Sequence, residues 1–274
     1  MVVTILNIKA VTFDLWETLL LERSGDNSRR MLARCKNLSK ILTRFGEVSE
    51  NQIGLALKEM ALWLISIWET NKDVTHLDQI RFIIKASGKG SVEIEEELIN
   101  ELSSAYVAPL FEIPPYLNPE APRVLKWLKE RNKLTGIICN TGRTPGFSIR
   151  RFLEKEGVAK YFNIMLFSDE IGIRKPDLKI FQIATKKLNV KPHQIIHIGD
   201  NLKSDVWGAK NAGMKAVYFS TEMGKDTIAE SDPNSLVSYS RKLGNLKEKD
   251  IIPDRTIPFL GMIVEAIENF ENNL

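Results

Sequence analysis

Four short segments carry an apolar run into a residue that can do chemistry. Val11-Thr12-Phe13 leads into Asp14, and Gly136-Ile137-Ile138 leads into Cys139, Asn140 and Thr141. Gly172-Ile173-Arg174 leads into Lys175-Pro176, and Ile195-Ile196-His197-Ile198-Gly199 leads into Asp200, with Asp205 five residues on. A carboxylate at a strand end can attack phosphorus and split a hydrolysis into two steps. Clustered carboxylates hold a hard cation such as magnesium, which takes oxygen ligands and keeps several waters. A fixed ammonium offsets clustered aspartates and a transferring phosphoryl group. Asn140 and Thr141 can donate hydrogen bonds to phosphate oxygens. Singly, each residue has a plainer reading. Asp14 and Asp205 are good helix caps, Lys175 would be an ordinary solvated lysine, and Cys139 a small buried residue. His197 reads as a satisfied core or rim histidine, and Arg174 as the exposed neighbour of Lys175.

These residues lie far apart in sequence, so a fold must gather them. An apolar run of this length between breakers reads as a buried strand, and open parallel sheets bind ligands beyond the carboxyl ends of their strands. Strand signals fall at about residues 8–13, 134–139, 164–167, 195–198 and 214–219, with helical patterns at 120–132, 146–157, 177–188 and 203–212 between them. This alternation predicts a parallel sheet covered on both faces. Residues 21–111 carry helical periodicity instead. Over 27–45, Met31, Leu32, Cys35, Leu38, Ile41 and Leu42 share the spacing of one buried face. Ser49 and Gln52 form a capping-box signature for a helix ending near Thr70. Helices are also expected over 75–86 and 92–106. Prolines 109, 114, 115, 119 and 122 then crowd a boundary. The expected organisation is a core of residues 1–20 and 112–274, with a helical cap domain of residues 21–111 inserted just after the first strand. That position makes the insert a lid over the strand end bearing Asp14. Trp63 and Trp68 within it read as helical packing. Residues 221–250 read as a polar loop with one helix, and 259–270 as a last amphipathic helix.

Composition narrows the function class. A net charge of +3 over 274 residues, with basic and acidic residues intermixed, gives no reason to expect nucleic acid. The longest apolar run, residues 61–68, is too short to span a bilayer, so no membrane partner is expected. No secretory signal is evident at the N-terminus. Two cysteines without zinc-type spacing favour a reducing, cytoplasmic setting over a disulfide framework.

Taken together, the segments resemble the haloacid dehalogenase-like hydrolase superfamily. The order is an apolar strand into Asp14-x-x-x-Thr18, a strand ending near Asn140, Gly172-x-x-Lys175-Pro176, then Gly199-Asp200-x-x-x-x-Asp205. The likeness covers residues 8–20 and about 115–220. It implies an α/β fold, a Rossmann-like doubly wound parallel sheet with an all-helical cap, together with magnesium and an aspartyl-enzyme intermediate. Carried over, Asp14 is nucleophile and metal ligand, Asp200 a ligand, and Asp205 supports or completes the metal site. Lys175 stabilises the nucleophile and the phosphoryl group. The family's strand-end hydroxyl falls on Cys139, beside Asn140, with Thr141 the nearest stand-in. These residues, with Trp16, are expected to meet a small-molecule substrate. A helical insert read from one sequence names no substrate, and oligomeric state is left open.

One departure separates the function readings. Phosphatases of this kind carry a second Asp two residues after the nucleophile, as general acid and base; here that residue is Trp16. Its backbone carbonyl can still ligate magnesium, but indole cannot relay a proton; Glu17 is a candidate substitute. Dehalogenases of the superfamily also lack that Asp and need no metal, so a 2-haloacid dehalogenase is one alternative, and a non-catalytic binding or regulatory protein of the same fold another. The intact Asp200 and Asp205 pattern favours the phosphatase, because extra aspartates without a cation would repel a carboxylate substrate.

Overall fold

The computed structural model describes residues 7–45, 48–89, 95–220 and 247–272. At its centre β1 (Ala10–Phe13) lies between β4 (Leu134–Cys139) and β6 (Ile195–Gly199), and pairs with both in parallel. Beyond β4 lies β5 (Ile164–Phe167). Beyond β6 lie β7 (Lys215–Phe219) and β8 (Arg255–Ile257). The order β5-β4-β1-β6-β7-β8 is parallel throughout. Every residue of β1 and β6 is buried, as a sheet covered on both faces requires. Phe13 is level with Ile137 on one side and Ile198 on the other. The register therefore brings the three strand ends level, and the crevice opens where the chain turns from β1 towards either side.

The covering helices are α6 (Ala121–Glu130), α7 (Gly146–Lys155), α8 (Ser168–Ile171), α9 (Leu178–Leu188), α10 (Gly208–Asn211) and α11 (Ile263–Asn272). The strand expectations hold to within two residues. β8 was not expected: it is three residues long and lies between Pro253 and Pro258, which mark it as an edge strand. Most of the polar stretch expected as loop and helix, residues 221–246, lies outside the described residues.

Between β1 and α6 the described residues make four helices, α1 (Asp26–Leu42), α2 (Glu50–Trp68), α3 (His76–Ile84) and α4 (Glu96–Val107), followed by the short α5 (Pro109–Glu112). The Ser49–Gln52 capping box forms as expected, and Thr75 with Asp78 makes a second. The helices share their own apolar cluster, including Leu38, Leu57, Met60, Leu64, Ile80, Ile83, Leu102 and Tyr106. Trp63 stacks on Phe82, so it packs within the insert. A two-stranded antiparallel ribbon of β2 (Leu20–Leu21) and β3 (Tyr116–Leu117) fastens the outgoing chain to the returning one. Asn118 secures it further, donating from Nδ2 to the Thr18 carbonyl and from its backbone to the Leu19 carbonyl.

The buried face of α1 departs from expectation. Leu32 is 71% exposed, whereas Arg30 and Arg34 are 4% and 3% exposed. Arg30, Arg34 and Leu38 recur every four residues and so share one face. The charged pair takes the inward position near the start of the helix, and the apolar cluster takes over from Leu38 onward. Among the described residues no helix is long and apolar enough to cross a membrane.

Candidate active site

The loop after β1 begins with Asp14, whose backbone N–H donates to the Ile198 carbonyl at 2.7 Å. That bond continues the β1–β6 ladder one residue further and sets the carboxylate at the rim. The loop then coils tightly, with the Leu15 carbonyl accepting from Leu19 and Leu20 at 2.9 and 2.8 Å. Glu17 takes a left-handed conformation, φ 57°, at the turn. Trp16 packs part-buried against the main apolar cluster, with the Arg30 guanidinium 5.9 Å from the centre of its ring.

On the β6 side, Gly199 is required by close approach. A Cβ there would lie 2.3 Å from Asp205 Cγ. The turn that follows, residues 202–207, is capped by the Asn201 side chain, which accepts from the backbones of Lys203 and Ser204, and not by Ser204 or Asp205. Asp205 is thereby free to fold back over Gly199 and accept from the Asn201 backbone at 3.0 Å. The carboxylates of Asp14, Asp200 and Asp205 come together, each offering an oxygen within 4.8 Å of the others.

Lys175 ties this group together. Its Nζ donates to Asp14 Oδ1 and to Asp205 Oδ1, both at 2.6 Å. The lysine is buried, not solvated. Asn140 holds its backbone from both directions: Oδ1 accepts from the Lys175 N–H at 2.7 Å and Nδ2 donates to the Lys175 carbonyl at 2.9 Å. His197 is buried with both ring nitrogens engaged, Nε2 by Asp205 Oδ1 at 3.2 Å and Nδ1 by Thr12 Oγ1 at 2.9 Å. An ionised Asp205 can only accept, so Nε2 carries the hydrogen and Nδ1 accepts from Thr12.

The charges respond to burial and to one another. Burial pushes the Asp14 carboxyl up to about 6, against the pull of Lys175. Burial would also raise Asp205, but Lys175 and His197 overcome it and hold it below the ordinary carboxylate value. Burial would lower Lys175, but Asp14 and Asp205 lift it above the usual lysine range. Burial lowers His197, keeping the ring neutral. Lys175 and Asp205 thus favour each other's charged forms, while burial works against the charge on Asp14.

Two residues expected to meet substrate are placed otherwise. Cys139 is wholly buried at the end of β4, and burial pushes its thiol well above the ordinary value. The Thr141 hydroxyl is also buried, bonded to Asp169 Oδ1 at 3.0 Å and Ser168 Oγ at 3.1 Å. Arg174, expected to be exposed, is buried. Its Nη1 donates to Asp73 Oδ2 and its guanidinium lies 3.9 Å from the centre of the Trp68 ring. Asp73 belongs to the insert and also accepts from Trp68 Nε1 and Ser168 Oγ. Nothing near Arg174 in sequence signals this, since its carboxylate partner lies 101 residues away.

The donor set is all oxygen, with both cysteines free and Cys139 sealed in the sheet. It fits a hard divalent cation better than zinc. Asp205 Oδ1 already takes Lys175 and His197, which suits Asp205 to supporting an ion held by the cluster.

Comparison with known proteins agrees with the motif order. The sequence matches the haloacid dehalogenase-like hydrolase family over residues 8–213. A glyceraldehyde 3-phosphate phosphatase of Pyrococcus furiosus is 43% identical over 101 residues, 37% of this chain and 41% of that protein. The same-named protein of Methanopyrus kandleri is 28% identical over 77% of this chain and 83% of its own length. A phosphoserine phosphatase of Thermus thermophilus is 32% identical over 56% of each. The chain therefore spans less than two thirds of some of these relatives. Among solved structures, a 2-haloacid dehalogenase from Pseudomonas syringae superposes with a TM-score of 0.67 at 22% identity, covering 96% of this chain and 99% of that one. A HAD phosphatase from Thermococcus onnurineus gives 0.57 at 23%, over 95% and 98%; at such identities the likeness is one of fold. With the strand-end motifs in register and the family match spanning most of its length, this chain belongs to the haloacid dehalogenase-like hydrolases.

Proposed function

We propose that this hydrolase is a magnesium-dependent phosphatase acting on a small phosphorylated metabolite through Asp14. The observation that carries the reading is Lys175 Nζ, held 2.6 Å from both Asp14 and Asp205 beside the Asp200 carboxylate. Relatives named for glyceraldehyde 3-phosphate and phosphoserine support the substrate class. Asp14 Oδ attacks phosphorus, the bond from phosphorus to the ester oxygen breaks, and that oxygen leaves with the electron pair and takes up a proton. Water then attacks the phosphorus of the aspartyl-phosphate, releasing inorganic phosphate and restoring the carboxylate. Lys175 holds Asp14 ionised and aligned, and offsets charge on the phosphoryl oxygens. Asn140 positions Lys175 through its backbone. Asp14, Asp200 and the Trp16 carbonyl would hold magnesium, with Asp205 in support. The ion would draw charge from the phosphoryl oxygens.

The helical insert, residues 21–111, acts as a cap hinged at the β2–β3 ribbon. It excludes water and selects substrate. Two unpaired cysteines fit a cytoplasmic setting.

The test is hydrolysis of p-nitrophenyl phosphate and acetyl phosphate, with magnesium and with chelator, by wild type and Asp14→Asn. Turnover that needs magnesium and is lost in the variant is expected. Trp16, which offers no acid, favours the dehalogenase reading. That reading takes over if chelator spares activity and only a 2-haloacid is turned over.

A further inference from the structure

The inward face of α1 presents two arginines where an apolar stripe was expected. Arg30 and Arg34 stand one turn apart, an arrangement in which like charges repel. Arg34 spends its bonds on backbone: Nε donates to the Tyr106 carbonyl at 2.9 Å and Nη2 to the Arg143 carbonyl at 3.1 Å. Its guanidinium lies 4.7 Å from the centre of the Tyr106 ring. Among the described residues, the side chain of Arg143, half-buried on the loop after β4, donates to the Met31 sulfur alone, at 3.1 Å. Arg30 pairs with Glu22. Among the described residues no carboxylate forms an ion pair with Arg34 or Arg143.

The place of this cluster matters as much as its charge. Arg30 lies against Trp16, two residues after Asp14. Arg143 lies three residues after Asn140, on the loop whose Gly142 carbonyl accepts from Gln79 Nε2 of the insert. The cluster therefore sits where the insert meets the loops after β1 and β4, the loops that also carry Asp14 and Asn140. Burial lowers Arg30 and Arg143 to about 10, with Arg34 adding to the effect on both, and burial lowers Arg34 itself. Uncompensated buried cations are costly unless an anion joins them. Planar guanidiniums are the groups best suited to grip a carboxylate or phosphate in two-pronged fashion.

We propose that Arg34 and Arg143 receive a second oxyanion of the substrate, so that the preferred ester is a small phosphomonoester whose far end carries a carboxylate or a second phosphoryl group. This rests on the phosphatase reading for the reacting end alone. The second group need not react; its binding energy positions the ester for attack at Asp14.

The test compares three short esters in the presence of magnesium: phosphoglycolate, 1,2-ethanediol bisphosphate and the neutral-ended 2-hydroxyethyl phosphate. Wild type should favour one acidic ester over the neutral one by on the order of 10- to 100-fold in kcat/KM, the range of one or two charge-assisted hydrogen bonds. Which acidic ester is favoured tells carboxylate from phosphoryl. Arg143→Met should cut that ratio at least about tenfold, and Arg143→Lys, which keeps the charge without the fork, should fall between. The lysine variant stands in if circular dichroism shows the methionine variant unfolded. A structural role for Arg143 would lower all esters alike and leave the ratio intact, which overturns the proposal, as does equal wild-type turnover of acidic and neutral esters. Should no ester be cleaved, calorimetry with phosphonoacetate and ethylphosphonate decides. Tighter binding of phosphonoacetate, lost in Arg143→Met, sinks the phosphatase reading and keeps the oxyanion site; equal binding sinks the site.

Discussion

Arg174 Nη1 and Asp73 Oδ2 lie 2.5 Å apart, joining the loop that carries Lys175 to the helical insert. Both side chains are buried, with Trp68 against the guanidinium and Ser168 on the carboxylate. A buried pair of this kind adds little over well-packed apolar residues, yet removing one partner strands the other charge. The insert is thus latched to the core one residue away from the lysine that bridges Asp14 and Asp205.

Breaking the latch from one side should be costly. Asp73→Asn or Arg174→Met alone should lower stability by about 3 kcal/mol. The double variant should lose less than the sum, because no charge is left stranded. Denaturant unfolding of all four proteins measures the coupling. Strictly additive losses would show that the pair is not the contact that matters.

The acid limb of activity should follow Asp14. Its carboxyl is raised to about 6 by burial, and only the ionised form attacks. Turnover should therefore fall as pH drops through about 6 at low magnesium. A cation beside the carboxylate favours its charged form, so added magnesium should move the limb to lower pH. A pH profile of kcat/KM at two magnesium concentrations checks the sign. A limb that stays put, or moves upward, would separate Asp14 from the metal.

Gly199 should tolerate no side chain. A methyl group would lie 2.3 Å from Asp205 Cγ and 2.4 Å from Oδ2. Gly199→Ala should push Asp205 away from Lys175 and His197. Magnesium affinity should then fall by about 10- to 100-fold, the usual effect of disturbing the groups behind the ligands. Calorimetry measures it, and unchanged affinity would show that Asp205 has no part in holding the ion.

The strand ends could be read from sequence because apolar runs stop at polar residues there whatever their tertiary partners. The Ser49–Gln52 cap was legible for the same local reason. The rest needed partners far along the chain. Arg174 reads as surface until Asp73 is placed beside it, and nothing local shows that Tyr106, Trp16 and the loop after β4 lie against Arg30 and Arg34. β2 and β3, two residues each, are too short to leave a periodic signal. Asn140 was expected to meet phosphate directly. Its side chain spans both polar groups of the Lys175 backbone, a role that sequence spacing cannot reveal.

Trp16 bears on the leaving group. An alkoxide needs a proton as it departs, whereas an aryl or acyl phosphate leaves without one. Indole cannot supply that proton, so aryl and acyl phosphates should be cleaved faster than alkyl phosphates. Trp16→Asp should narrow the gap by raising alkyl turnover selectively, within the roughly 10²–10⁴-fold range open to a positioned acid. The indole also packs against the main apolar cluster beside Arg30, so its loss should cost some stability, which thermal unfolding follows in parallel. Equal cleavage of alkyl and aryl esters by wild type would mean that another group gives the proton. Glu17 is the first to replace in that event: its left-handed backbone places it in the same turn, and it acts electrostatically on Arg30. Glu17→Gln should then slow alkyl esters while leaving aryl esters nearly untouched, and an equal effect on both would remove Glu17 as the acid.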